Sequence, residues 1–97
     1  MYQFSASIWR SLGKGGWYFV SLPVNMSKEI RANFKDEEKA WGRLEAKVII
    51  QDTTWETAIW FDSKQQTYLL PIKAVIRKKL NVDINAVLKI KLFIEST

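Results

Sequence analysis

Apolar and polar residues alternate along much of this chain, and an alternation with a period of two predicts β-strands that bury one face. The longest alternating stretches place an apolar side chain at nearly every second position. Shorter stretches rich in aromatic and β-branched residues are also typical of strands, and a proline or a polar turn follows each of them. The predicted strands cover residues 2–10, 17–22, 43–50, 55–61, 67–70 and 87–94.

Two short stretches change to a period near four, and each begins after a Leu-Pro pair. Residues 24–34 predict an amphipathic helix with Asn25 or Ser27 as its N-cap. Residues 72–80 predict a second helix, and Asn81 follows at the place where a left-handed C-cap is needed. The apolar stripe of this second helix is formed by Ile72, Val75, Ile76 and Leu80.

The link between the first two predicted strands, residues 11–16, contains three glycines. Such a link suits a hairpin turn whose residues adopt positive φ. The run Gly13-Lys14-Gly15-Gly16 has some likeness to a phosphate-cradling loop, but it lacks the Gly-Lys-Ser/Thr ending and precedes no helix. The hairpin turn is therefore the favoured interpretation.

The chain has 97 residues, of which 47% are hydrophobic, so we expect a single domain over residues 1–97. It contains no His and no Cys, which excludes disulfides, imidazole or thiolate metal sites, His-dependent triads and Cys nucleophiles. No targeting signal is visible, and no apolar run approaches the roughly 20 residues of a membrane span. We therefore expect a cytoplasmic protein with no membrane role and no cofactor.

The two halves of the chain share a faint pattern. A shift of 48 residues places Leu22-Pro23 on Leu70-Pro71, and a basic residue followed by Leu recurs further along each half. The shared order is strand, Leu-Pro, short helix, link, strand. The chain is therefore either an internal duplication with half-repeats 1–48 and 49–97 or a domain with a chance internal likeness.

The order of these features resembles two related groups of small barrels. The second half, with Tyr68-Leu69-Leu70-Pro71 before a helix that carries Arg77 and Leu80, is similar to the AbrB-like swapped-hairpin barrels. The whole chain resembles a closer family, the domain of unknown function 1905. The residues that carry this closer likeness are Phe4, Ala6, Gly16, Trp17, Phe19, Val20, Leu22, Pro23, Ile30, residues 43–48, Leu70, Pro71, Ala74, Val75 and Arg77.

The resemblance implies a mainly β fold, a small closed split β-barrel of six or seven strands with two short helices, and no established activity. The family pattern has a Gly-Asp turn before the last strand, where this chain has Asn85-Ala86. Asn tolerates the left-handed conformation, but the carboxylate is absent. If that carboxylate pairs with the helix arginine in relatives, Arg77 requires another partner here. AbrB-like barrels are built from two exchanging chains of about half this length, so we expect this chain to close one barrel as a monomer.

Positive charge is concentrated in residues 73–91, where six basic residues against the single acid Asp83 give the same +5 as the whole chain. Clustered Lys and Arg displace counterions from nucleic acid, so this segment predicts a surface for nucleic acid or another polyanion. The competing interpretation is a solvated helix face and a strand whose lysines discourage pairing between sheets. The candidate residues are Lys73, Arg77, Lys78, Lys79, Lys89 and Lys91.

Aromatic residues make up 13% of the chain and indicate a second kind of binding. Trp9 and Trp41 each lie within two residues of an arginine, and such pairs suit stacking on bases or sugars. The alternative is that a small barrel fills its centre and covers its ends with large rings. On that interpretation Phe4, Phe19 and Trp55 are core residues.

Catalysis has little support in the sequence. The carboxylates Asp36, Glu37 and Glu38 lie in a charged link where we expect none to lose its solvation, whereas a general acid usually needs burial. The sequence thus predicts a non-enzymatic binding module for nucleic acid or another polyanion. The alternative is a small-ligand or protein-interaction barrel that uses exposed aromatics and has no nucleic-acid role.

Overall fold

Seven antiparallel strands form one continuous sheet in the computed structural model, which describes residues 1–13, 15–39 and 42–95. The strands are β1 (Tyr2–Ser7), β2 (Trp9–Arg10), β3 (Tyr18–Ser21), β4 (Arg43–Ile50), β5 (Thr53–Asp62), β6 (Thr67–Pro71) and β7 (Val87–Ile94). Helix α1 (Val24–Phe34) connects β3 to β4 and continues into a 3-10 turn (Lys35–Glu37), and helix α2 (Ala74–Leu80) connects β6 to β7.

The sheet curls until its two ends nearly meet, and residue Ile8 makes this closure. The strand order is β1-β7-β4-β5-β6-β3-β2, so the first and last strands of the sheet are consecutive in the chain. The predicted strand 2–10 therefore divides, with β1 pairing with β7 and β2 pairing with β3. At the division the Ile8 N–H donates to the carbonyl of Ala86 (2.9 Å), and the Asn85 N–H donates to the carbonyl of Ile8 (2.8 Å).

Alternate strand residues point inward and build one hydrophobic core, as the alternation predicts. In β4 and β7 these inward residues are Leu44, Ala46, Val48, Ile50, Leu88, Ile90 and Leu92, all of which are buried. The predicted core residues Phe4 and Trp55 are half-buried and pack against this core, whereas Phe19 is half-buried on the outer side of the sheet. The mainly β fold, a nearly closed barrel with seven strands and two short helices, is confirmed.

Helix α1 has the predicted bounds, but its predicted N-cap is wrong. Pro23 occupies the cap position, and no side chain caps the helix. Ser27 is fully buried instead, and its Oγ accepts a hydrogen bond from the Tyr68 N–H of β6 (3.1 Å). The hydroxyl therefore joins the helix to the sheet.

Helix α2 is shorter than predicted, and one member of its predicted apolar stripe is wrong. Ile76 and Leu80 are buried, but Val75 is 69% exposed because the helix begins only at Ala74 and turns that side chain outward. The predicted C-cap is confirmed, since Asn81 has φ 56° and ψ 49°. Its N–H donates to carbonyls of the last helical turn.

Candidate functional site

Three cationic side chains from different parts of the chain meet beside the β2–β3 link. Arg10 ends β2, Lys73 precedes α2 and Arg77 lies within α2. Together they line a groove of about 360 Å³ whose other walls come from the β2–β3 link and the start of α2. We call this the basic groove.

Arg77 is held in the basic groove by two contacts. Its Nη1 donates a hydrogen bond to the carbonyl of Ile72 (2.6 Å), and its guanidinium carbon lies 3.6 Å from the centroid of the Tyr18 ring. The guanidinium of Arg10 lies 5.9 Å from the same ring. The ring and the carbonyl are thus the partners that Arg77 uses in this chain, where the turn carboxylate of the family pattern is absent.

The glycines of the β2–β3 link allow the backbone to approach Arg10 closely. Gly15 has φ 87° and Gly16 has φ 55°, which confirms the predicted turn with positive φ. A Cβ atom at Gly16 would also collide with the guanidinium of Arg10. The backbone conformation therefore favours glycine at position 16, and a side chain there would displace the mobile end of Arg10. Lys14, at the tip of this link, lies outside the described residues.

The charge of the basic groove is not neutralised by nearby acids within the described part of the chain. There the ion pairs join Glu38 to Arg31, and Glu45 to Lys39 and Arg43. None of them involves Arg10, Lys73 or Arg77. The groove therefore presents positive charge that forms no ion pair among the described residues, although Glu45 and Glu56 share an adjoining depression with Lys73, and Asp83 shares one with Arg77. This charge attracts anions and is screened by salt.

The other predicted basic residues do not share the basic groove. Lys78 and Lys79 are exposed on α2. Lys89 and Lys91 are exposed on β7 and line a different groove, of about 540 Å³, beside Gln3 and Ser5 of β1. The predicted surface of residues 73–91 is thus divided, and only Lys73 and Arg77 of the predicted set line the groove that Arg10 completes.

An aromatic surface adjoins the basic groove on the outer side of the sheet. Trp17, Phe19, Trp60 and Leu69 line a depression of about 290 Å³, and we call these four residues the aromatic face. Trp17 also lines the basic groove, so the two surfaces meet at its indole ring. A ligand that carries both a negative charge and a flat ring would contact both surfaces.

The two predicted stacking residues have different outcomes. Trp9 is half-buried beside the aromatic face, where its ring lies 5.3 Å from that of Phe19 and its Nε1 donates to Ser21 Oγ (2.9 Å). Trp41 lies outside the described residues. Sequence reasoning did not single out Trp60 as a binding residue, although the alternation places it on the same side of β5 as the exposed Glu56.

A buried polar cluster lies between α1 and β6, and it corrects the expectation that no link carboxylate loses its solvation. The Glu38 side chain is only 9% exposed, it accepts a hydrogen bond from the Tyr68 hydroxyl, and Arg31 lies 3.5 Å from its other oxygen. The Arg31 guanidinium also lies 3.8 Å from the Phe61 ring centroid. Burial, with help from Glu38, raises the pKa of Tyr68 well above its usual value. The contacts of Glu38 with Arg31 and Tyr68 thus hold the charged link against α1 and β6.

The described residues hold no group of three or more acidic side chains that could bind a metal ion, and none of their helices is long and apolar enough to cross a membrane. Their fold and grooves define a small, nearly closed antiparallel β-barrel with one basic groove beside an aromatic face. The chain belongs to the family described as Domain of unknown function (DUF1905), whose model matches residues 4–92. No curated protein matches the chain.

Proposed function

We propose that this barrel is a non-enzymatic binding module that holds a polyanion, the phosphate backbone of a nucleic acid, in the basic groove. The observation that carries the proposal is the convergence of Arg10, Lys73 and Arg77 with no carboxylate within 4.0 Å in the described ranges. Arg and Lys are the side chains that displace counterions from phosphates and supply most nonspecific affinity.

The groups that line the groove support a binding role. Its described lining residues offer guanidinium, ammonium, phenol and backbone groups. Arg77 is fixed by its hydrogen bond to Ile72 and its contact with Tyr18, so its remaining N–H donors are already oriented for a ligand. Fixed donors of this kind suit the bidentate binding of phosphate oxygens.

A second candidate function uses the aromatic face for a small ligand or a protein, with no role for nucleic acid. The exposure of Trp17 and Trp60 is the observation that favours it. Salt separates the two functions, since phosphate binding weakens steeply with ionic strength and apolar capture changes little.

The experiment is a salt titration of a labelled single-stranded oligonucleotide by fluorescence anisotropy. Three phosphate contacts predict a slope of about −2 in a plot of log affinity against log salt, or about a 20-fold loss between roughly 50 and 200 mM. Lys73→Ala should weaken binding and lower the magnitude of this slope by about 0.7.

Lys79→Ala is the matched control, because it removes the same charge from an exposed position outside the basic groove. It should leave the slope close to that of the unmodified protein. Absence of binding at about 50 mM salt, or equal effects of the two substitutions, would contradict the assignment of the polyanion to the basic groove.

A further inference from the structure

Two tryptophans of the aromatic face stay open to solvent where the face meets the basic groove. Trp17 is 52% exposed and Trp60 is 39% exposed. Trp17 stacks on Phe19 with 6.1 Å between ring centroids and 11° between ring planes. Phe19 thus lies against one side of the indole, and about half of the Trp17 surface stays open to a flat ligand.

The aromatic face is supported from the side by neighbouring residues of β2 and β3. Phe19, on which Trp17 stacks, packs in turn against Trp9, and the indole N–H of Trp9 is fixed by Ser21. Phe19 and Ser21 also lie in β3, which pairs with both β2 and β6. Trp17 therefore rests on a set of rings held by the sheet, and little side-chain entropy is lost when a ligand stacks there.

The charges around the aromatic face indicate where a phosphate backbone can run. The groove between Trp17 and Trp60 contains two acids, Glu45 and Glu56, and two cations, Arg43 and Lys73. Glu45 is paired with Arg43 at 2.9 Å, but no ion pair within the described residues involves Glu56. The two acids there offset the two cations, whereas the described lining of the basic groove contains cations and no acid, so phosphates are favoured in the basic groove.

We infer that the aromatic face stacks an unpaired base of a single-stranded nucleic acid whose phosphates lie in the basic groove. This inference rests on the proposed function and adds the class of nucleic acid to it. Bases within a duplex already stack on each other and cannot reach a protein ring, whereas single strands offer the flat face of every base. The juxtaposition of cations and indole at Trp17 matches that arrangement of phosphate and base.

The test compares four ligands of equal length, about 10 nucleotides, which is within the site sizes of small nucleic-acid-binding barrels. They are oligothymidylate, oligouridylate, an abasic deoxyribose-phosphate strand and a duplex. The abasic strand can occupy the basic groove but has no base for the aromatic face. Oligothymidylate should bind about tenfold more tightly than the abasic strand, and the uridylate arm distinguishes RNA from DNA as the source of the base.

Trp17→Ala should remove the preference for oligothymidylate over the abasic strand. The preference is the ratio of the two affinities, so a change that weakens the binding of both ligands equally through the basic groove does not alter it. Trp17→Phe keeps a stacking ring and should keep most of the preference. This result would show that the effect of Trp17→Ala comes from the lost ring and not from a folding defect. Phe93→Ala is the matched control, because this half-buried ring lies on β7 over Lys47 and outside the aromatic face.

Each failure of the test has a distinct meaning. Equal binding of oligothymidylate and the abasic strand, equal binding of the duplex, or a preference that survives Trp17→Ala would overturn the inference and leave the polyanion groove standing. If none of the four ligands binds at about 50 mM salt, both the inference and the proposed function are overturned. The aromatic face would then be left to a partner of another kind, such as a protein.

Discussion

Glu38 and Tyr68 form a largely buried, hydrogen-bonded pair of side chains. Glu38 keeps its carboxylate in a largely buried place because the Tyr68 hydroxyl and Arg31 both contact it. When a buried charge loses one of its partners, its desolvation is no longer compensated and the folded state is destabilised. The pair therefore links the stability of the fold to the protonation of one phenol.

Tyr68→Phe should destabilise the protein by about 2 kcal/mol near neutral pH, because a hydrogen bond to a charged group is lost. The difference should shrink as the pH rises above about 10. The pKa of Tyr68 is raised above the usual 10.0, so the folded protein keeps the phenol proton where the unfolded chain loses it. The stability that Tyr68 contributes is thus fully present below about pH 10 and is lost as pH rises toward the folded-state pKa.

Urea unfolding of both proteins between about pH 8 and pH 11 measures this difference. Tyr2→Phe is a control for the removal of a phenol hydroxyl from a half-buried ring, and it should change the free energy of unfolding by less than about 0.5 kcal/mol near neutral pH. A Tyr68→Phe effect that stays constant across the range would contradict the pH argument.

Local sequence predicts some residues well and others not at all. Asn81 and Asn85 adopt the left-handed conformation that their positions after a helix and in a turn indicate, with φ 56° and 70°. The burial of Glu38 depends on Tyr68, 30 residues away, so nothing in the charged link itself could reveal it.

Helix α1 is attached to the sheet by a hydroxyl as well as by apolar packing. Ile30 is fully buried, and Ser27 gives the Tyr68 N–H a hydrogen-bond acceptor inside the protein. A buried backbone donor without a partner costs about 1–3 kcal/mol. Ser27 therefore supplies the Tyr68 N–H with the acceptor that a neighbouring strand would otherwise provide.

Ser27→Ala should lower the free energy of unfolding by about 1–3 kcal/mol, since it leaves the Tyr68 N–H buried without an acceptor. Asn25→Ala is the control on the same helix, because Asn25 is exposed and makes no capping hydrogen bond. It should change stability by less than about 0.5 kcal/mol in the same denaturant titration. A larger loss of stability for Asn25→Ala than for Ser27→Ala would contradict this argument and favour Asn25 as the N-cap of α1.

At the scale of elements, alternation is reliable where one face of a strand stays buried along its length. The bounds of β4 and β7 equal the predicted 43–50 and 87–94 for this reason. The division of residues 2–10 was not predictable, because Ile8 continues the same inward pattern while the strand changes partner from β7 to β3. A change of partner is set by distant strands and leaves no mark in the local pattern.

At the scale of the whole molecule, the strand order has an unexpected regularity. Residues 1–48 and 49–97 each contain, in order, a strand, a second strand, a helix and a third strand, if β1 and β2 count as one. The counterparts are β1 joined to β2 with β5, β3 with β6, and β4 with β7. When each strand is exchanged with its counterpart, the set of neighbouring strand pairs in the sheet is unchanged. The half-repeats stay a prediction, and this regularity supports them.

The candidate site was predictable only in part, also for reasons of scale. The charge count pointed to Lys73 and Arg77, but Arg10 joins them from near the start of the chain because β3 pairs with both β2 and β6. Lys89 and Lys91 are near in sequence and line another groove, because β7 lies between β1 and β4. Proximity in sequence was thus a poor guide to proximity on the barrel surface.

The closure of the barrel within one chain predicts a monomer. The two ends of the sheet are consecutive in sequence and are joined through Ile8, so folding requires no strand from a second molecule. The midpoint temperature of unfolding should therefore not change when the protein concentration is varied over about a hundredfold range, whereas that of an obligate dimer rises with concentration. Light scattering after size-exclusion chromatography gives the mass independently, and 11.3 kDa is expected. If the midpoint rises with concentration and the mass doubles, the chain associates and the prediction is contradicted.

Trp17→Ala then shows whether the aromatic face is the contact between the two molecules. This substitution removes exposed apolar surface, so it should return both the midpoint and the mass to those of a monomer.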